Sequence, residues 1–229
     1  MATRAIDTRS SDLRQTRSAA PAEPRVDTRA RRYDPAETKS RVLAAANMLF
    51  STKGFAATGT ADIARAADVS EGSIFYHFGS KKALLAELGQ RYSEQMIAAM
   101  EDGYALEDLE PGIIIPRVFA FCLSNSLWEG ITGSECEPGK PAAMKNPEAE
   151  PFYHAAKAAT VAWIERQMTA SLAKQGVTGI DIPLAASFTH HIVGDAIDGI
   201  MTAASPAERE RIERETVRFV RAACYFPTH

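Results

Sequence analysis

Apolar positions recur at three- and four-residue spacing over most of the chain beyond residue 33, and no segment shows the two-residue alternation of a half-buried strand. The first helical stretch opens with DPAE: Asp34 as cap, Pro35 at the first helical position, and Glu37 three residues after the cap. Val42, Leu43, Ala46, Leu49 and Phe50 then share a face, and Gly54 supplies a left-handed stop, which predicts a helix over 35–53. GTADIARAA places Ile63, Ala64 and Ala67 on one side of a short second helix. Asp68-Val69-Ser70 breaks the pattern, and Ser70 caps a third helix ending near Gly79. Ser80 caps a fourth, whose Leu84, Leu85, Leu88 and Tyr92 mark a buried stripe running towards Gly103.

The remainder reads as longer helices. EPGIIIPRVFAFCLSNSLWEG is apolar almost all round, which predicts a buried helix started or kinked by Pro116. Residues 130–150, rich in Gly, Pro and acids, predict a long loop with at most a short helix. Helices follow over 151–175 and 182–203, and the capping sequence SPAE at 205–208 opens a last one through Val220. The expected fold is all-α, about nine helices in all. It divides into a flexible Arg-rich arm (1–33), a three-helix helix-turn-helix domain (34–83) and a larger helical domain (84–229).

Charge sharpens this division. The net charge of −3 hides an asymmetry: residues 1–33 hold eight Arg against four acids, whereas residues 83–229 hold twelve basic residues against twenty acidic ones. A polyanion should therefore be met at the N-terminal end. The arm has scarcely any large apolar residue with which to offset the entropy of ordering. No apolar run approaches the ~18 residues of a membrane span, and the first residues lack the apolar core of a secretory signal. Cys122, Cys136 and Cys224 show no paired spacing, so reduced thiols in a cytoplasmic protein are expected.

The tight turn between the second and third helices is a helix-turn-helix arrangement, in which the second helix of the pair enters the major groove N-terminus first. In DVSEGSIFYHF, Ile74 and Phe78 lie four apart and face inward. Ser70, Glu71, Gly72 and Ser73 occupy the exposed first turn, where Glu71 could accept from a cytosine amino group. Tyr76 and His77 offer hydrogen bonds to phosphate oxygens, and Lys81 sits at the amino end of the fourth helix, where the dipole also attracts anions.

These residues carry a resemblance. TGTADIARAADVSEGSIFYHFGSKKALLAEL, preceded by Gly54-Phe55, resembles the DNA-binding part of the tetracycline-repressor (TetR) family of bacterial regulators. It matches at Thr58, Ile63-Ala64, Ala67, Val69-Ser70, Gly72, Tyr76-His77-Phe78, Lys81 and Leu84-Leu85, over about fifty residues. The chain departs from the family pattern at Gly59, where Ser or Thr usually caps the second helix, and at Phe75, where the family usually has Tyr. Thr60 or the backbone N–H groups of that helix end then take the phosphate, and Tyr76 carries more of the contact.

The DNA-contacting set expected from residues and resemblance together is Thr58, Gly59, Thr60, Ser70, Glu71, Gly72, Ser73, Phe75, Tyr76, His77 and Lys81. The resemblance further implies that 84–229 is a ligand-binding and dimerisation domain with an effector cavity among its middle helices, and Phe119, Cys122, Asn125, Trp128, Met144, Phe152, Trp163 and Met168 are its candidate lining. One recognition helix reads too few bases for selectivity, so a two-fold homodimer on a palindromic double-stranded operator is expected. The family pairs its last two long helices, which here assigns Leu184, Phe188, Ile192, Ala196, Ile200 and Phe219 to the interface. The function implied is a ligand-responsive transcriptional regulator, a repressor released by a small, largely apolar effector, with no cofactor, no metal and no membrane partner.

Other readings stay open at this point. An activator would use the same DNA domain. His190-His191 with Asp195 invites a metal-sensor reading because His191 and Asp195 lie one helical turn apart, although no third ligand joins that pair, and Cys122 with Cys136 invites a thiol-sensor one. A helical enzyme would need a nucleophile elbow, phosphate loop or paired metal motif, and the sequence has none. The Arg-rich arm could enter a minor groove or be an inert tail.

Overall fold

A computed structural model of the chain describes residues 34–125, 127, 131 and 147–224. The arm over 1–33 and the candidates Trp128, Cys136 and Met144 lie outside the described residues. Among those residues there are eight α-helices and no strand.

Helix α1 (Pro35–Lys53) begins where the cap chemistry requires: the Asp34 carboxylate accepts from the N–H groups of Ala36 at 2.8 Å and Glu37 at 3.3 Å. Gly54 ends it at a φ of 83°. Helix α2 (Thr60–Ala66) starts at Gly59, whose N–H donates to the Asp62 carboxylate at 3.3 Å, so the missing cap side chain is replaced from inside the helix. The turn to α3 (Glu71–Phe78) passes through Asp68 at a φ of 52°, a conformation Asp tolerates better than most side chains. The Arg41 guanidinium of α1 donates to the Asp68 carbonyl at 3.4 Å. Val42, Ala46 and Phe50 of α1, Ile63 of α2, Ile74 of α3 and Leu84 of the next helix are fully or almost fully buried in one shared core.

Helix α4 (Lys81–Glu101) is the long element common to this head and to the rest of the chain. Its buried stripe extends Leu84, Leu85, Leu88 and Tyr92 through Met96 and Met100. No basic residue sits in its last turn; Arg117 from α5 (Pro111–Ser124) supplies the missing cation, donating to the carbonyls of Met100 at 2.9 Å and Asp102 at 2.7 Å. Helix α5 begins at Pro111, with Pro116 inside it.

Helix α6 (Glu150–Gln175) crosses α4 closely, and Gly89 is why it can. A Cβ on Gly89 would lie 2.3 Å from the Phe152 carbonyl oxygen and 2.9 Å from its Cα. One turn later Ser93 Oγ, fully buried, makes 3.1 Å hydrogen bonds with the carbonyls of Gly89 and Ala156, tying the two helices together. Gly176, left-handed at a φ of 68°, ends α6. Helix α7 (Ile182–Thr202) is capped by the Asp181 carboxylate, which accepts from the Leu184 N–H at 3.1 Å. Before α8 (Pro206–Cys224), Ser205 Oγ accepts from the Glu208 N–H at 3.2 Å while the Glu208 carboxylate accepts from the Ala204 N–H at 3.0 Å. Helix α8 continues four residues beyond the expected Val220.

Candidate functional site

The exposed face of the head is built by α2, α3 and the start of α4. Ile74 and Phe78 are buried in the core that α3 shares with α1, α2 and α4, so the residues between them turn outward. Tyr76 is 79% exposed and Phe75 49%, whereas His77 is half-buried, its ring edge-on to Tyr76 at 5.1 Å. Ser70 caps α3, its Oγ accepting from the Ser73 N–H at 3.2 Å and lying 2.8 Å from the Ser73 hydroxyl. The Thr60 hydroxyl at the start of α2 donates to the Glu71 carboxylate, so the one side chain holds the other across the turn.

Two expected contact residues are placed differently by the fold. Thr58 is buried, and its hydroxyl donates to the Gly54 carbonyl at 2.8 Å, stitching the loop that follows α1. Lys81 turns inward: its ammonium donates to the Phe55 carbonyl at 2.7 Å and sits 4.0 Å from the centre of the Phe55 ring. Lys82 beside it is exposed. The helical period contained this information. Lys81 is three, four and seven residues before Leu84, Leu85 and Leu88, so it lies on their buried face, and Lys82 is the residue the period turns outward.

Behind the head, α4, α5, α6 and α7 enclose a cavity of about 500 Å³, closed at one side by Val220 of α8. Its wall is mainly apolar, with Met96, Met100, Ile115, Val118, Trp163 and Met168 prominent. The buried polar groups along it are largely engaged: the Gln167 amide donates to the Leu109 carbonyl at 2.6 Å and the Thr160 hydroxyl to the Ala156 carbonyl at 2.8 Å. The Trp163 indole N–H donates to the Glu101 carboxylate at 2.7 Å. Burial, with the neighbouring His191 and Lys157 adding to it, lowers the His190 pKa to about 4, so this ring is neutral near pH 7. Burial also pushes up the Tyr92 phenol and the Cys122 thiol, and the Tyr92 hydroxyl lies 3.5 Å from Cys122 Sγ. A thiol so placed is a poor source of thiolate.

A family model described as bacterial regulatory proteins, tetR family, matches residues 42–88, the segment from mid-α1 to mid-α4. Over residues 42–88 the chain is thus similar to the tetR family. Among curated relatives, the HTH-type transcriptional regulator AcrR of Shigella flexneri is 38% identical over 68 residues, which are 30% of this chain and 31% of that protein. The chain thus matches about a third of that relative's length. Among solved structures, GusR of Salmonella enterica superposes with a TM-score of 0.60 at 19% identity, covering 86% of this chain and all of that one. RolR in complex with resorcinol superposes with a TM-score of 0.57 at 18% identity, covering 85% and 96% respectively. At these identities the structures show a shared fold.

On this fold the expected ligand residues separate. Cys122, Trp163 and Met168 line the cavity. Phe119 and Phe152 are buried behind the wall, Phe152 packing on the Tyr92 ring at 5.5 Å. Asn125 follows the last turn of α5, outside the wall, and Trp128 and Met144 are outside the described residues. Lys157, Thr160 and Gln167 of α6, absent from the expected lining, recur at helical spacing with Tyr153 and Ile164 and also line the cavity. His190 and His191 line it too, and among the described residues no group of three His, Cys, Asp or Glu could hold a metal ion.

Of the expected interface set, Leu184, Phe188 and Phe219 are about half exposed, Ile192 and Ala196 are half-buried, and Ile200 is buried within the protomer. Gly199 lies against Ile212 of α8, where an added Cβ would meet its side chain at 3.4 Å, so this face of α7 packs on α8 within the subunit. No helix among the described residues is long and apolar enough to cross a membrane.

Proposed function

We propose that the protein is a ligand-responsive repressor that binds a palindromic operator as a homodimer. The observation that carries this reading is the outward first turn and a half of α3 on a tetR-family head, ending in a Tyr76 that is 79% exposed. Ser70, Glu71, Gly72 and Ser73 lead into the groove, with Thr60 steadying Glu71. Gly72 supports a close approach: it is exposed, and an added Cβ would meet Ser70 Oγ only at 3.7 Å, so the protomer's own packing does not require glycine there. Tyr76, His77, Thr60, Lys82 and the backbone at Gly59 contact phosphates, whereas Lys81 and Thr58 hold the head together. Phe75 adds an exposed ring beside Tyr76.

Pairing is supported by Leu184, Phe188 and Phe219, three large apolar side chains half exposed on α7 and α8. Effector control is supported by the cavity, whose wall includes Met96 and Met100 of α4, the helix whose other end packs on α1 and α3. A ligand that fits the cavity better when α4 is tilted separates the two recognition helices, with a coupling of about 1–3 kcal/mol. That the fold neighbour RolR was solved with resorcinol favours a small-molecule effector.

Selection of bound duplexes from a random pool with the full chain tests the reading. Enrichment of a two-fold symmetric site, bound at two protomers per half-site pair, is the expected result. Recovery of no enriched site, or of an asymmetric one bound by a single protomer, overturns it.

A further inference from the structure

The cavity is apolar along most of its wall, yet one cation stands at its edge. Lys157 of α6 is half-buried and lines both the cavity and the shallower depression outside it, which also contains His154 and Ser187, so it stands where the two meet. Its ammonium lies 3.2 Å from His191 Nε2. His191 Nδ1 lies 2.7 Å from the Ser187 carbonyl, which can only accept, so the ring proton is on Nδ1 and Nε2 accepts from Lys157. No carboxylate among the described residues lies within ion-pair distance of Lys157. The acid of the cavity wall, Glu150, is exposed and already paired with His154 at 3.3 Å. A neutral imidazole takes one of the three ammonium protons and leaves two for another acceptor.

We propose that the cavity takes a monoanionic amphiphile, an apolar body ending in a carboxylate, with Lys157 receiving the carboxylate and His191 positioning Lys157. The inference rests on the effector reading of this cavity and adds the class of effector. An apolar wall of Met96, Met100, Ile115 and Trp163 suits the body of such a molecule, and a cavity of about 500 Å³ is of the size that encloses a small organic ligand. One partly desolvated ammonium balances one charge. The adjacent His190 is neutral near pH 7 and supplies no second one, which sets a single carboxylate above a phosphate dianion. An alkylammonium ligand would instead bring like charge to Lys157.

Calorimetry on the full chain without DNA tests this with two matched series: decanoate, decanol and decylamine, and naphthoate, naphthol and naphthylmethylamine. In at least one series the carboxylate binds about tenfold tighter than the alcohol, and the amine binds weakest. Lys157→Met removes the preference for the carboxylate while the alcohol keeps its affinity within about twofold, which shows that the cavity is intact. Lys157→Arg retains the preference, and His191→Phe reduces it. Equal binding of carboxylate and alcohol in both series, binding of no member of either, or an undiminished preference in Lys157→Met overturns the proposal. An operator recovered by selection alongside any of these leaves the DNA-binding reading standing. A carboxylate preference without operator release instead removes only the coupling of cavity to DNA.

Discussion

Gly89→Ala adds one methyl group at the crossing of α4 and α6. The new Cβ would stand 2.3 Å from the Phe152 carbonyl oxygen and 2.9 Å and 3.0 Å from its Cα and carbonyl carbon. All three are backbone atoms of a helix, so no rotamer change can make room, and α6 must move off α4 by about an ångström. Overpacking of this kind costs about 1–3 kcal/mol when side chains can adjust. A backbone obstacle belongs at the upper end of that range. Replacing a mid-helix glycine by alanine returns about 0.5–1 kcal/mol of helix propensity. The net loss is about 2 kcal/mol, which for a chain of this size lowers Tm by about 4–8 °C. Thermal unfolding followed by circular dichroism at fixed protein concentration reads this directly. Gly194→Ala is the control: Gly194 is also mid-helix, an added Cβ meets nothing within 4 Å, and the same propensity gain should leave Tm unchanged or higher. A Gly89→Ala protein as stable as the parent refutes the claim that this glycine sets the approach of the two helices.

Arg117→Met should cost about 1.5–3 kcal/mol in urea unfolding, because the carbonyls of Met100 and Asp102 lose a charged donor and the last turn of α4 has no other basic residue. At the head, Lys82→Ala and Tyr76→Phe should weaken binding to all duplexes, and Lys82→Ala should lower the slope of log affinity against log salt by about one per half-site. Lys81→Met should instead lower Tm and leave that slope nearly unchanged, since its ammonium is spent on Phe55. For His190 the folded pKa of about 4 lies below the ordinary 6.5, so the unfolded chain binds the proton more readily between those values. Stability should therefore fall as pH drops from about 6.5 to about 4, by at most about 3 kcal/mol and less after allowance for the ring's remaining exposure. His190→Gln should flatten that part of the stability profile in pH-dependent unfolding.

The helices were legible because their ends are chemically marked. Asp34, Ser70 and Ser80 cap where side-chain oxygens can reach the first free N–H groups, and Gly54 and Gly79 stop helices at positive φ. The inward and outward sides of α3 followed from the four-residue spacing of Ile74 and Phe78. What was not legible depends on contacts between distant segments. The helical period turns Lys81 inward, but nothing local shows that Phe55, twenty-six residues earlier, offers it a carbonyl and a ring face. Phe119 and Phe152 were as aromatic as Trp163, yet which ring faces the cavity is decided by helix rotation, which composition does not encode. Lys157 does not stand out in the sequence, because a lysine in a helix usually belongs to the solvated side and its partner His191 is on another helix.

The hydrogen bond from Trp163 to Glu101 has an optical consequence. The chain has two tryptophans, and Trp163 is almost completely buried, forms part of the cavity wall and is held by the last residue of α4. Its indole therefore senses two things at once, the filling of the cavity and the position of the α4 terminus. With Trp128 replaced by Phe, the emission maximum and quantum yield of this single ring become an internal gauge of effector binding, with no dye or tag attached to the molecule.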